Sequence, residues 1–120
     1  MTATFIDTNK IAHTKLPGGQ GDVAEIMNRD LCGAHNGVAM LRWLKSGERF
    51  VPEPRRDTHQ LIYLMDGRGV ITLANTDYPV SKGAGIYLGP SETATIRPAE
   101  DASVKLLHLV VHHAEDAPTR

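Results

Sequence analysis

Charged and titratable side chains stand within or beside apolar stretches of this sequence at several points. Arg42 lies within the apolar residues 37–45 and His108 within residues 104–112, while Glu53 and Arg55 are two positions apart. An imidazole that is neutral at about pH 7 can accept or donate a proton, and a carboxylate close to an arginine stays ionised. A guanidinium binds a carboxylate or a phosphate through two parallel hydrogen bonds. These residue types point to proton transfer and anion binding, provided that the fold brings them together.

Short or alternating apolar segments recur along the chain and predict strands rather than helices. Turn residues separate these segments, as at residues 17–19, 66–69 and 75–77. Turns come about every ten residues, which is typical of a sandwich or a small barrel. With 120 residues, the chain is long enough for one core. The sequence predicts one all-β domain over residues 1–120, with a tight hairpin at Asn75 and Thr76 and a fraying polar tail at residues 114–120.

The composition excludes several classes of protein. With 13 Lys and Arg against 14 Asp and Glu, the net charge is −1, so no long-range field attracts nucleic acid or anionic lipid. No apolar run approaches the roughly 20 residues that span a bilayer, and no secretory signal is visible at the first residues. We therefore expect a cytoplasmic protein with neither a nucleic-acid nor a membrane partner. Cys32 is the single cysteine of the sequence, so an intrachain disulfide is excluded.

Two segments carry a family resemblance. Residues 47–67 (GERFVPEPRRDTHQLIYLMDG) resemble the first cupin motif, G-x5-H-x-H-x3,4-E-x6-G, and residues 83–94 (GAGIYLGPSETA) resemble the second, G-x5-P-x-G-x2-H. The resemblance covers roughly residues 38–111, most of the chain. It implies a small single-domain cupin, a double-stranded β-helix that closes as a jelly-roll barrel. Because cupins carry many activities, the resemblance implies the fold far more strongly than a reaction.

The metal-binding positions of a typical cupin depart from the family pattern. They correspond here to Glu53, Arg55, Gln60 and Ala94. An arginine keeps its proton and places a fixed positive charge where a metal needs an electron pair, and an alanine offers no donor. Too few ligands remain for a defined site. The sequence therefore predicts a cupin without a metal cofactor.

A metal-dependent alternative remains open. The residues between Pro54 and His59 could slip by one position, which would turn His59 inward. Glu53, His59, Gln60 and His108 would then form a possible site for Zn, Mn, Fe or Ni. The protein would in that case be a metal-dependent oxygenase or hydrolase.

The register implied by the resemblance turns every second strand residue into the barrel. The polar residues predicted to face inward are Arg42, Glu53, Arg55, Gln60, Tyr87 and His108. Apolar residues surround them, namely Met40, Ile62, Leu64, Ile96, Leu106 and Val110. One carboxylate against two guanidiniums leaves a positive excess inside, which favours a small anionic ligand.

These inward residues suggest an enzyme. Glu53 and His108 are the predicted proton-transfer pair, with Tyr87 or an arginine stabilising an oxyanion. Arg42, Arg55, Gln60 and Met40 are predicted to bind the substrate. The chemistry would be that of a lyase, dehydratase, epimerase or isomerase, as in metal-free cupins.

Less specific interpretations remain for the same residues. Glu53 and Arg55 could form a solvated ion pair at the barrel mouth, and His108 could be a hydrogen-bonded core histidine. A binding module without catalysis is therefore a further alternative.

The other face of the sheet is predicted to be an apolar surface formed by Leu41, Trp43, Leu61 and Tyr63. We expect N-terminal residues or a second subunit to cover this surface, and the resemblance implies a homodimer, because small cupins commonly form dimers in this way.

Overall fold

The computed structural model describes residues 7, 10–28 and 36–112. Within them, the regular structure is eight strands and one short 3₁₀ turn at Pro17–Gly19. The strands are β1 (Thr14–Lys15), β2 (Asp22–Met27), β3 (Gly37–Leu44), β4 (Thr58–Leu73), β5 (Thr76–Ser81), β6 (Gly85–Leu88), β7 (Thr95–Pro98) and β8 (Val104–His112). The all-β prediction is confirmed, whereas Cys32 and the predicted tail at residues 114–120 lie outside the described residues. This part of the chain contains no helix that could cross a membrane.

The long strand β4 organises the fold because it belongs to two sheets. Its first part pairs with β8 and β6, and its second part pairs with β5 and β7, always antiparallel. Beyond β8, the first sheet continues through β3, β2 and β1. Two sheets joined through one bent strand are the arrangement expected of the jelly roll, in which the inner faces share a core.

The predicted turn at residues 66–69 is instead a bend within β4. Pairing with β8 ends at Gly67, and pairing with β5 begins at Arg68. Gly67 has a φ of 92°, which favours glycine, and a Cβ atom there would lie 2.0 Å from the carbonyl oxygen of Ser103. Glycine therefore lets the strand pass from one sheet to the other, rather than reversing the chain.

The hairpin between β4 and β5 lies one residue earlier than predicted. Leu73 pairs with Thr76, so Ala74 and Asn75 form the two-residue turn. Their φ angles are 47° and 69°, as a type I′ turn requires. The prediction that centred the turn on Asn75 and Thr76 was wrong because a β-branched residue resists positive φ and here begins β5 instead.

The apolar core lies on the inner faces of the sheets. Strand alternation buries Leu44 of β3, Ile62 and Leu64 of β4, Ile96 of β7 and Leu106 of β8, which belong to one hydrophobic cluster. The inward orientation that the sequence predicted for Ile62, Leu64, Ile96 and Leu106 is confirmed. The same alternation carries polar residues of β3, β4 and β8 inward, as described below.

The opposite face of the first sheet is only partly covered. Leu41 is fully buried, and the ring of His13 stacks on Trp43 with centroids 3.6 Å apart. Coverage by N-terminal residues is thus confirmed for Trp43. Leu61 and Tyr63 keep 42% and 40% of their surface exposed. The homodimer that would cover them stays a prediction.

Candidate functional site

A cavity of about 490 Å³ lies against the inner faces of β3, β4 and β8. Residues of β2 and of the segment between β3 and β4 also contribute to its lining. Seven residues predicted to face inward line the cavity, namely Met40, Arg42, Glu53, Arg55, Gln60, His108 and Val110. Three of them are buried polar or charged residues from three neighbouring strands: Arg42, Gln60 and His108. The cavity therefore has one buried polar cluster, and the rest of its lining contains both polar and apolar residues.

Arg42 is the charged member of this cluster. It is 8% exposed, its Nε donates to Nδ1 of His108 at 3.0 Å, and its guanidinium lies 3.9 Å from the ring centroid of Phe50. Nη2 donates to Sδ of Met40 at 3.5 Å, a weak acceptor. Nη1 is buried without a hydrogen-bond partner in the described part of the chain. Arg42 thus has an N–H donor without an acceptor, in a buried environment where an unpaired charge costs free energy.

His108 links Arg42 to Gln60. His108 of β8 pairs with Met40 of β3 on one side and with Ile62 of β4 on the other. Arg42 is two residues after Met40 and Gln60 is two residues before Ile62, so both side chains lie on the same face of the sheet as His108. The Nε2 atom of His108 is 2.7 Å from Oε1 of Gln60. Since Nδ1 accepts from arginine, the ring carries its proton on Nε2 and donates it to the amide oxygen. Both ring nitrogens are therefore occupied.

Burial sets the charges of the cluster. It lowers the pKa of His108 to about 3, and the positive charge of Arg42 lowers it further. Burial also lowers the pKa of Arg42 to about 10, with Glu25 acting in the opposite direction. At neutral pH the imidazole is neutral and the guanidinium is charged. Because Nδ1 accepts from Arg42 and Nε2 donates to Gln60, the geometry favours His108 as the residue that positions Arg42. The lowered pKa agrees with this role, since a base matched to proton transfer at neutral pH would titrate much closer to it.

The low pKa of His108 predicts loss of stability in acid. The value is about 3 in the folded chain against an ordinary 6.5, so below pH 6.5 the unfolded chain binds the proton first. The stability that the folded chain gains from an unprotonated His108 is complete above pH 6.5 and is lost progressively towards pH 3. The free energy of unfolding falls by up to about 1.4 kcal/mol per pH unit in this range.

The measurement is urea denaturation across this range, on the parent chain and on His108→Gln, which keeps an acceptor for Arg42. The free energies of unfolding of the two proteins should differ by a constant above pH 6.5, the ordinary pKa of histidine, and the parent should lose more below it. A constant difference through the acid range would contradict the prediction.

Glu53 and Arg55 lie at the cavity mouth, which corrects their predicted interior position. Nη2 of Arg55 donates to Oε1 of Glu53 at 3.1 Å, and the two side chains are 53% and 74% exposed, respectively. Pro52 and Pro54 flank the glutamate and lack an N–H group, so the segment does not pair as a strand and does not follow strand alternation. The alternative of a solvated ion pair at the mouth is confirmed.

Tyr87 faces outward, which corrects the prediction that it points into the barrel. It is 58% exposed and pairs with Leu61, whereas its neighbour Leu88 pairs with Gln60 and is buried. Register with β4 therefore decides which residues of β6 face inward. The Tyr87 hydroxyl lies 2.5 Å from Nδ1 of His59, which is also exposed. Alternation in β4 thus continues without the slip that would have turned His59 inward.

Comparison with known proteins identifies the family of this chain. Residues 35–118 match the model of the AraC-like ligand-binding domain. The chain belongs to this family. Among curated proteins, no sequence matches. The cupin resemblance noted from the sequence is confirmed, because this ligand-binding domain shares its fold with solved cupins.

Solved structures of similar fold cover nearly all of this AraC-like domain. A predicted oxalate decarboxylase from Thermotoga maritima is 16% identical, with 91% of this chain and 99% of that chain aligned at a TM-score of 0.77. The polyketide cyclase RemF from Streptomyces resistomycificus is 13% identical over 96% and 89% of the chains, with a TM-score of 0.76. An RmlC-like cupin from Shewanella frigidimarina is 16% identical over 96% of each chain, with a TM-score of 0.70. At such identities the likeness shows the fold alone.

The residues of this AraC-like domain at the typical cupin metal positions do not fit a metal ion. Glu53 is held by Arg55 at the mouth, and Ala94 is buried in the hydrophobic cluster. The Oε1 atom of Gln60 accepts from His108, and its Nε2 donates to the backbone oxygen of Glu53 at 3.2 Å. In the described residues, no group of three or more His, Cys, Asp or Glu is placed to hold a metal. The alternative set of Glu53, His59, Gln60 and His108 is not brought together, since His59 faces away.

Sequence reasoning missed two residues of this site. Phe50 lies before β4, bridges to Ile96, and places its ring under the guanidinium of Arg42. Glu25 of β2 lines the cavity and pairs with Met40. Alternation along β2 could have found Glu25 once β2 was placed beside β3. The position of Phe50 follows from a loop bridge that no periodicity reveals.

Proposed function

We propose that this AraC-like domain binds a small organic anion in its cavity, with Arg42 as the anchor. The observation that carries the proposal is a buried arginine, 8% exposed, whose Nη1 is buried without a hydrogen-bond partner within the described part of the chain. A buried donor without an acceptor costs about 1–3 kcal/mol, and more when it is charged. An anion in the cavity would satisfy both the charge and the donor.

The surrounding contacts support a binding role. His108, fixed by Gln60, accepts a hydrogen bond from Nε of Arg42, and the guanidinium lies over the ring of Phe50. A side chain held on two sides presents its remaining donors in a fixed geometry, which reduces the ordering cost of binding. An interior that served stability alone would be as well filled by apolar residues.

Acid–base chemistry on the bound anion stays a prediction. Its predicted base, Glu53, is at the mouth, and its predicted partner, His108, is neutral with both nitrogens engaged. One fold neighbour is named a predicted oxalate decarboxylase and another a polyketide cyclase, and these names are those of enzymes. Mass spectrometry decides between binding and catalysis: a bound compound recovered unchanged after long incubation supports binding, and a changed mass shows turnover. The proposed function requires no metal, because Arg42 supplies the positive charge.

Filling the cavity should abolish binding. Val110 lines the cavity, whereas the next residue, Val111, is 40% exposed. In a thermal-shift screen against small organic acids, the parent should be stabilised by at least one compound, by about 2.7 kcal/mol at a hundredfold excess over Kd. Val110→Phe should lose this response, and Val111→Phe, the matched control, should keep it. A response that survives Val110→Phe, or no response to any acid, would contradict the proposal.

A further inference from the structure

The charges around the cavity limit the charge of its ligand. Arg42 is the one buried charged residue among the described residues that line it. Glu53 and Arg55 neutralise each other at the mouth, and His108 is neutral because its pKa is lowered to about 3. Glu25 also lines the cavity, but its carboxylate is exposed to solvent and disfavours a second negative charge on the ligand. The buried excess is therefore a single positive charge. One negative charge on the ligand would balance it, whereas a phosphate dianion would leave a second charge uncompensated.

The hydrogen bonds of Arg42 show which edge of its guanidinium is available. Nε is committed to His108 at 3.0 Å. Nη1 has no partner in the described part of the chain, and Nη2 has only the Met40 thioether at 3.5 Å. A thioether is a weak acceptor and gives way to a charged oxygen at a net gain. The edge formed by Nη1 and Nη2 thus matches the two oxygens of a carboxylate.

The other residues that line the cavity indicate which chemical groups the rest of the ligand carries. Leu16, Val38, Phe50, Val51 and Val110 contribute apolar surface. Among the buried polar residues, Gln60 already bonds to His108 and to the backbone of Glu53. The other polar lining residues are half-buried or exposed: Gln20, Glu25, Glu53, Arg55 and His112. A polyhydroxylated ligand would therefore leave the hydroxyl groups beside the buried part of the lining without partners, which costs affinity. A cavity of about 490 Å³ falls within the size range of small-molecule sites.

We infer that the cavity takes a monocarboxylic acid with an apolar body, whose carboxylate binds Nη1 and Nη2 of Arg42 and displaces the thioether of Met40. This inference rests on the proposed function and specifies its ligand class. The apolar body would then lie against the valine and phenylalanine side chains of the lining.

The inference is tested by calorimetric titration with four probes: phenylbutyrate, its neutral amide, phenyl phosphate and a pentose. Phenylbutyrate should bind at least about tenfold more tightly than each of the others, because only it supplies one charge, two oxygens and an apolar body. Met40→Leu keeps the volume and removes the sulfur acceptor, so it should bind phenylbutyrate at least as tightly as the parent. Arg42→Gln should bind it about tenfold more weakly or worse. If that variant does not fold, Arg42→Lys, which lacks the planar fork, should show the same direction of change.

The outcomes separate the inference from the proposed function. If phenyl phosphate binds most tightly and Arg42→Gln removes its binding, the anion site stands and the monocarboxylate class is overturned. If the amide binds as tightly as the acid, the carboxylate contact with Arg42 is overturned. Binding of the pentose alone would overturn both the ligand class and the anionic character of the site. If no probe binds and the acid screen on Val110→Phe and its control also gives no response, both proposals fail.

Discussion

Gly67→Ala should destabilise the folded protein by about 4 kcal/mol or more, enough to unfold many domains of this size. Two costs add at this position. The φ of 92° is strained for any residue with a Cβ, and that Cβ would lie 2.0 Å from the carbonyl oxygen of Ser103. The clash is with the backbone of the residue that precedes β8, so it cannot be relieved by a rotamer change. Circular dichroism with urea denaturation measures the loss.

Gly47 provides a matched control for this prediction. Its φ is 90°, nearly the same as that of Gly67, yet a Cβ there would meet no atom within 4 Å. Gly47→Ala should therefore cost only the conformational strain, about 1–2 kcal/mol. The difference between the two variants isolates the contact with Ser103. Equal losses at both positions would show that close approach at the bend of β4 does not matter.

Period-two alternation made the central part of the site predictable. Arg42, Gln60 and His108 each lie in a strand that pairs with its neighbours without a shift at that residue. One correct inward assignment in such a strand determines all the others, because adjacent side chains point to opposite faces. The cluster that binds Arg42 could therefore be deduced from the sequence together with the cupin register.

Positions outside this regular pairing could not be deduced in the same way. Glu53 lies between two prolines, where no ladder fixes its direction, and it ends at the mouth. Tyr87 belongs to a four-residue strand whose orientation depends on its pairing with β4. In the sequence, a glycine at position 67 is as typical of a turn that reverses the chain as of a bend within a strand. In each case a tertiary contact decides between local alternatives of similar energy.

His108→Leu should destabilise the protein by about 3 kcal/mol, because it leaves the Nε donor of Arg42 buried without an acceptor. The guanidinium would then have two unpartnered buried nitrogens instead of one. Adding Arg42→Met removes the charge together with its unmet donors. The double variant should consequently be more stable than His108→Leu alone, by about 2 kcal/mol.

Arg97 supplies the control for this cycle. It bonds to Thr72 and Asp77 on the second sheet, away from the cavity. Arg97→Met and His108→Leu should therefore have additive effects on the free energy of unfolding. Additivity between Arg42→Met and His108→Leu would instead contradict the buried Arg42–His108 contact. If the coupling is found, the double variant recovers stability while losing its response to organic acids. That result would show that the isolated charge is retained for ligand binding rather than for folding.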